Sequence, residues 1–221
     1  WQDRLGKNHA VNDSLRGHEW LPKLQQNTKA LVAFEKENFK VFYRFDYLDE
    51  TIENYNDIVD ENYNSATQTT NPSANDEIFT NKLFYHHLNS TGNLFSTIAY
   101  NVSVSYQEQT KELERYTYRI RTGEKENVEK GEYQSRKAFF SRGTFSNLFQ
   151  TENFNAQLGY ETTLENGQGS SAAIVINPGE ELIAQDLNNY DFFAASEWQL
   201  SERFSLRPGV RVSFSNLFGK Y

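Results

Sequence analysis

The chain contains no cysteine among its 221 residues, so disulfides, thiol catalysis and thiolate metal sites are excluded. No apolar run approaches the ~18 residues that a membrane-spanning helix needs, which excludes a helical membrane protein. The net charge of −8 argues against a nucleic-acid binder, because such proteins usually present a basic face. The sequence opens at Trp1 without an initiator methionine or a signal peptide, so we expect a processed chain or an excised piece.

Catalytic motifs are also missing. The sequence contains no G-x-S-x-G, H-E-x-x-H, P-loop or G-x-G-x-x-G pattern. His86 and His87 are adjacent in a predicted strand, so they point to opposite faces and cannot bind one metal ion together. Ser, His and Asp are too scattered to nominate a catalytic set, and we therefore predict that the protein is not an enzyme.

What the chain does have is alternation, and it is clearest at 94–106. Ile98, Tyr100, Val102 and Val104 point to one side of a strand, while Ser103 and its odd-numbered neighbours point to the other. Hydrophobic residues make up only 37% of the chain but aromatic residues 15%, with 17 Phe and 13 Tyr. This composition suits an outer-membrane barrel, in which half of each strand faces water and aromatic residues mark the membrane boundaries.

The same pattern recurs along the chain. Residues 1–27 are predicted to form a loop, and the segments expected to form strands or strand-rich stretches are 28–36, 39–50, 78–88, 94–106, 116–120, 132–149, 154–164, 190–200 and 204–214. Tight turns are predicted near residues 37, 91, 151 and 202, and long polar segments at 51–77, 107–131 and 165–188. Short turns that alternate with long loops are typical of an outer-membrane barrel, with short periplasmic and long extracellular connections.

We therefore predict an all-β fold: an antiparallel transmembrane β-barrel, of which this chain supplies about eight strands. A soluble β-sandwich or β-helix is the alternative, with the apolar face turned to a core. If the short turns are periplasmic, the first strand runs inward and the last runs outward, so we expect an internal piece of a larger barrel. That direction would reverse if 110–114 formed a turn of its own.

A resemblance to a known family strengthens this prediction. Residues 190–218, YDFFAASEWQLSERFSLRPGVRVSFSNLF, resemble the barrel repeat of TonB-dependent outer-membrane receptors, through ASEWQL at 195–200 and LRPGVR at 206–211. Residues 39–55 resemble the same repeat, and the likeness runs over about 28–218. Family barrels have 22 strands. The sequence shows no plug domain and no TonB box, so residues 1–221 are interpreted as a partial barrel domain.

The resemblance implies a function. Such receptors lie in the outer membrane of Gram-negative bacteria and import a large scarce solute, such as a metal chelate, glycan or peptide. Energy would come from the TonB complex through a plug that this chain lacks, and outer-membrane lipid and a surface lipoprotein are the expected partners, with no nucleic acid. A passive porin and a soluble binding module remain alternative functions.

Candidate site residues fall into three groups. Inward-facing charges that line a solute path are Arg44, Asp46, Arg119, Arg121, Arg207 and Arg211, of which Arg207 and Arg211 could cradle a carboxylate or phosphate. The loop candidates are Tyr55 and Tyr63 with their neighbouring carboxylates, which suit ligand capture or a bound calcium ion, and a second loop with Gly167, Gly169 and the apolar run 172–176. No other cofactor is expected. The outward aromatic residues predicted to contact lipid at or between the aromatic girdles are Tyr43, Tyr47, Tyr100, Tyr106, Trp198, Phe204 and Phe214.

Overall fold

The computed structural model describes residues 2–3, 16, 23–59, 66, 72–95, 97–149, 151–169, 181–217 and 219–220. Strands account for most of them. In chain order they are β1 Gln2–Asp3, β2 Lys23–Lys36, β3 Phe39–Asn54, β4 Ser73–Leu94, β5 Ile98–Arg119, β6 Lys125–Ser146, β7 Phe154–Gly169, β8 Ile183–Ser201, β9 Phe204–Leu206, β10 Gly209–Ser215 and β11 Gly219–Lys220.

All these strands belong to one sheet. Each long strand pairs antiparallel with its neighbours in sequence, in the order β1-β2-β3-β4-β5-β6-β7-β8-β10-β11, while β9 pairs with β8. The predicted fold class is confirmed: the chain is all-β, with an up-and-down antiparallel topology. In the part of the chain that is described, no helix is long and apolar enough to cross a membrane.

The register fixes which side chains share a face. One cross-strand row runs through seven pairings of directly opposite residues, and it comprises Val32, Tyr43, Leu88, Val104, Ser141, Thr162, Tyr190 and Phe214. Directly opposite residues project to the same side of a sheet. The alternating segments therefore place most of their apolar residues on one face and most of their small polar and charged residues on the other, with Phe42, Phe140 and Phe193 as exceptions on the polar face.

Two ends of the sheet differ in their connections. The links 37–38, 95–97, 147–153 and 202–203 lie at one end, called here the short-turn end. The links 55–72, 120–124 and 170–182 lie at the opposite end, the mouth. Residues 110–114 lie within β5 and form no turn of their own, so the alternation of strand direction is not reversed there. That the short turns are periplasmic stays a prediction.

Several predicted boundaries are wrong, and in most cases the strand is longer than predicted. Strand β2 begins at Lys23 inside the predicted 1–27 loop, and the predicted turn at 90–93 lies within β4, with the turn at 95–97 instead. The long segment 107–131 is wrong: β5 continues to Arg119 and β6 begins at Lys125. Backbone pairing continues there although both faces are polar, so alternation of polarity ends well before the strand does.

The other long segments are also shorter than predicted. Strand β3 ends at Asn54 and β4 begins at Ser73, while β7 ends at Gly169 and β8 begins at Ile183. The predicted single strand 204–214 is divided into β9 and β10 at Arg207 and Pro208. Proline has no N–H to donate to a ladder, although its carbonyl still accepts the Ser196 N–H at 3.0 Å.

Candidate functional site

The most extensive surface feature is a belt of exposed apolar side chains on one face, next to the short-turn end. Val32 is 67% exposed, Val210 62% and Phe192 56%. In contrast, only four hydrophobic side chains are buried among the residues described, namely Tyr55, Ala74, Leu113 and Tyr116. No second layer of described residues therefore covers this face. We call this surface the apolar belt: the residues on this face of 28–34, 39–47, 84–94, 98–106, 139–145, 154–164, 190–200, 204–206 and 210–214.

The belt has the same height on β3 and β5, nine residues in each. In β5 it runs from Ile98 to Tyr106 and ends at Glu108, and in β3 it runs from Phe39 to Tyr47 and ends at Asp49. Transmembrane β-strands need ~9–11 tilted residues to cross the hydrocarbon core. Each of these apolar stretches has that length.

All the residues predicted to form the aromatic girdles lie on the belt face. Tyr47 and Tyr106 lie at its border towards the mouth, whereas Tyr100, Trp198 and Phe204 lie near the short-turn end. Tyr43 and Phe214 share the same row in the middle of the belt. Their contact with lipid stays a prediction.

Polar atoms within the belt bind one another. The hydroxyl groups of Tyr100 and Ser90 lie 3.1 Å apart, and so do those of Tyr160 and Ser141. Tyr43 Oη lies 2.7 Å from His86 Nδ1, and Trp198 Nε1 donates to Ser196 Oγ at 3.0 Å. A surface that faces water has no need for such pairs. A surface that faces hydrocarbon does, because each unpaired polar group costs several kcal/mol there.

The border towards the mouth is polar and charged. Tyr47 and Tyr106 each donate their hydroxyl to the carboxylate two residues further along the strand, Asp49 at 3.1 Å and Glu108 at 3.2 Å. Lys137 Nζ lies 3.1 Å from Glu108. Rings on the apolar side and hydroxyl groups on the wet side are the arrangement that tyrosine adopts at a membrane boundary.

The opposite face carries the predicted inward charges, and they are paired. Arg44 bonds Asp46 at 2.5 Å, Arg207 bonds Glu197 at 2.6 Å and Arg211 bonds Asp191 at 3.1 Å. Arg119 bonds Glu126 at 2.6 Å, and this pairing lowers the pKa of Glu126. Arg121 also has a partner. The predicted Arg207 and Arg211 cradle is thus already satisfied by carboxylates of β8.

At the mouth, a buried ion pair joins distant parts of the chain. The two terminal nitrogens of the Arg16 guanidinium, Nη1 and Nη2, donate to Asp76 Oδ1 and Oδ2 at 2.6 and 3.0 Å. The two side chains are only 3% and 1% exposed. The guanidinium carbon also lies 5.7 Å from the Tyr55 ring centre and 5.2 Å from that of Tyr118. We call this group the Arg16 clasp.

The backbone of Asn56 completes the clasp. Its N–H donates to Asp76 Oδ1 at 3.2 Å, and its carbonyl accepts from Arg16 at 3.2 Å. The link that precedes β2 and the 55–72 link are thereby fastened to β4 at one point. No sequence pattern signals this contact, because its partners are 60 residues apart and each lies in a polar stretch.

Only some of the loop residues predicted to bind a ligand lie in the described part of the chain. Tyr55 is buried in the clasp and hydrogen-bonds Glu53, and burial raises its pKa. Its predicted role in ligand capture remains a prediction that would need the clasp to open. Tyr63 and the apolar run 172–176 lie outside the described residues. No group of three or more His, Cys, Asp or Glu in the described ranges could hold a metal ion, and calcium binding by the 55–72 loop stays a prediction.

Comparisons with known proteins give one similarity. No family model and no curated protein matches the sequence. The chain is similar to the crystal structure of the ferric-catecholate import receptor Fiu from E. coli K12 in its open form, with a TM-score of 0.43 and 13% identity. The similarity covers 90% of this chain and 37% of that one. The chain therefore spans little more than a third of that receptor's length.

Proposed function

We propose that this chain forms part of the wall of an outer-membrane β-barrel, of the type found in TonB-dependent receptors, and that the barrel imports a large scarce solute. The observation that carries the proposal is the apolar belt. It is exposed on one face of an up-and-down antiparallel sheet, its height on β3 and β5 matches a bilayer, and several of its polar side chains pair with one another. On this proposal the protein lies in the outer membrane of a Gram-negative bacterium and is not an enzyme.

The opposite face supports a water-filled interior. It carries ion pairs at several heights, such as Arg211 with Asp191 and Arg136 with Glu165. Polar and charged side chains on the lumen face are typical of transmembrane barrels, which alternate lipid-facing and lumen-facing residues along every strand. In a soluble sandwich the apolar face would instead be covered by a second sheet.

Solute capture is proposed for the mouth, because the two longest links between the long strands, 55–72 and 170–182, lie there and recognition usually resides in loops held by a rigid scaffold. The wall arginines contribute less, since Arg44, Arg119, Arg207 and Arg211 are each paired with a carboxylate. Deletion of 60–71, which leaves Tyr55 and Asn56 in place, should abolish solute binding without preventing insertion. The pair Arg207→Ala and Arg211→Ala should leave binding nearly unchanged; the reverse result would assign recognition to the wall.

Membrane location and energy coupling are tested separately in the full-length protein. We expect it in carbonate-washed outer membranes, with extraction only by detergent and heat-modifiable migration on gels. A protein that is monodisperse in plain buffer would instead be a soluble binding module. Uptake that stops when the proton gradient is dissipated indicates a TonB-dependent receptor, whereas uptake that continues indicates a passive porin.

A further inference from the structure

A polar cavity of about 310 Å³ opens at the mouth, between the ends of β4, β5 and β6. Its volume is at the lower end of the range for small-molecule sites. Its lining is made almost entirely of amide, hydroxyl and charged side chains, among them Asn75, Glu77, Arg115, Thr117, Asn127 and Glu129. Asp76 also lines the cavity and is held in place by the Arg16 clasp.

The cavity coincides with a break in the β5–β6 ladder. Arg115 pairs with Glu129 and Thr117 with Glu126, so β6 has one extra residue in this interval. Asn127 lies within the bulge with φ of 50°, a left-handed conformation that asparagine tolerates better than most residues. Bulges re-aim side chains and are frequent next to functional sites. Here the bulge places Asn127 in the lining of the cavity.

Two of the three carboxylates that line the cavity are paired. Arg115 Nε donates to Glu77 Oε1 at 2.8 Å, and Asp76 is held by Arg16. Glu129 lies directly opposite Arg115 in the ladder, so the lining offers no excess of positive charge to an anion. Its neutral groups are amides and a hydroxyl, with Thr117 Oγ1 donating to Asn75 Oδ1 at 3.2 Å. Amides both donate and accept hydrogen bonds, as the hydroxyl groups of a saccharide do.

The wall on the lumen side is neutralised in the same way. Ion pairs join Arg44 to Asp46, Arg136 to Glu165 and Arg211 to Asp191, and the chain as a whole carries a net charge of −8. An anionic solute would meet no excess of positive charge on this surface, and electrostatic attraction would not concentrate it there.

We propose that the cavity binds an uncharged, hydroxyl-rich solute, that is, a saccharide unit, rather than an anionic metal chelate. This inference rests on the proposed import function and names its solute class. The amides of Asn75 and Asn127 and the hydroxyl of Thr117 bind the sugar hydroxyl groups, and the bulge at Asn127 sets the width of the opening.

The test uses the full-length receptor in detergent, with two probes. One is a panel of fluorescently labelled neutral oligosaccharides; the other is an iron(III) tris-catecholate chelate, which is anionic. We expect at least one neutral oligosaccharide to bind and the chelate not to bind. Asn127→Gly keeps the left-handed backbone but removes the amide, and it should weaken oligosaccharide binding about tenfold, as should the isosteric Thr117→Val.

Asn147→Gly is the matched control, because Asn147 also has a positive φ, of 61°, but lies at the short-turn end. It should leave affinity unchanged. Failure to bind any neutral oligosaccharide, binding of the chelate alone, or equal effects of Asn127→Gly and Asn147→Gly would each overturn the inference. Energy-dependent uptake of the chelate would overturn the saccharide inference but leave the proposed import function intact. Absence of the protein from the outer membrane would overturn the import function itself.

Discussion

Substitution of Asp76 by alanine should be among the most costly single changes in the chain. Asp76 is 1% exposed and accepts three hydrogen bonds, two from Arg16 and one from the Asn56 N–H. Asp76→Ala leaves the guanidinium of Arg16, itself 3% exposed, buried without its counter-charge. Breaking a buried pair in this way costs about 3–5 kcal/mol.

The control is an ion pair of similar geometry that water reaches. Arg207 bonds Glu197 at 2.6 Å, but the two side chains are 72% and 44% exposed. Glu197→Ala should therefore cost about 0–1 kcal/mol. The double variant Arg16→Met with Asp76→Leu removes both charges at once, and should recover most of the stability lost in Asp76→Ala.

Urea unfolding of the detergent-solubilised protein, followed by tryptophan fluorescence, measures these free energies. Hydrogen exchange at residues 74–77 and 114–118 shows whether the loss is confined to the mouth. If Asp76→Ala costs no more than Glu197→Ala, the clasp does not fasten the mouth and the reasoning from burial is refuted.

Three further predictions concern single positions. Gly143→Ala places a methyl group against the ring of Tyr160. It should separate Tyr160 from Ser141 and cost about 1–3 kcal/mol of stability, measured by thermal unfolding. Gly167→Ala is the control, because no atom lies within 4 Å of the added methyl group, and it should be near neutral. Burial raises the pKa of Tyr116. Ultraviolet titration of the protein and of Tyr116→Phe should show that Tyr116 ionises at a higher pH than the exposed tyrosines. The contribution of Tyr116 to the free energy of unfolding should be present below about pH 10 and be lost as pH rises further. The Arg119 hydrogen bond lowers the pKa of Glu126 from 4.5, so its stabilising effect should be present above that pH and be lost as pH falls through the lowered pKa; carboxyl NMR of Arg119→Met should show the ordinary value restored.

The belt could be predicted from the sequence because the two faces of the sheet differ in polarity at its height. Where one face is apolar and the other polar, as at Val102 and Ser103, the period of two is visible in the side chains themselves. Beyond Glu108 both faces of β5 are mostly polar, with the buried Leu113 and Tyr116 as exceptions, and the strand nevertheless continues to Arg119. Backbone hydrogen bonds hold that part of the ladder, and they leave no trace in the pattern of polarity.

The clasp and the cavity could not be predicted for a different reason. Arg16 and Asp76 come together only because β2, β3 and β4 align two distant links at the mouth. Asn127 resembles any asparagine in a charged hairpin until the register shows a bulge around it. Contacts of this kind depend on the register of the whole sheet, whereas a sequence pattern reports only local preferences.

The central claim, that the belt faces lipid, is tested most directly at two adjacent positions in the middle of its height. The chain has no cysteine, so a nitroxide label can be attached at Val102→Cys or at Ser103→Cys in the protein reconstituted in bilayers. We predict that the label at 102 is relaxed by dissolved oxygen and not by a water-soluble nickel complex, and that the label at 103 shows the opposite preference. Equal accessibility of both labels to the nickel complex would contradict the account.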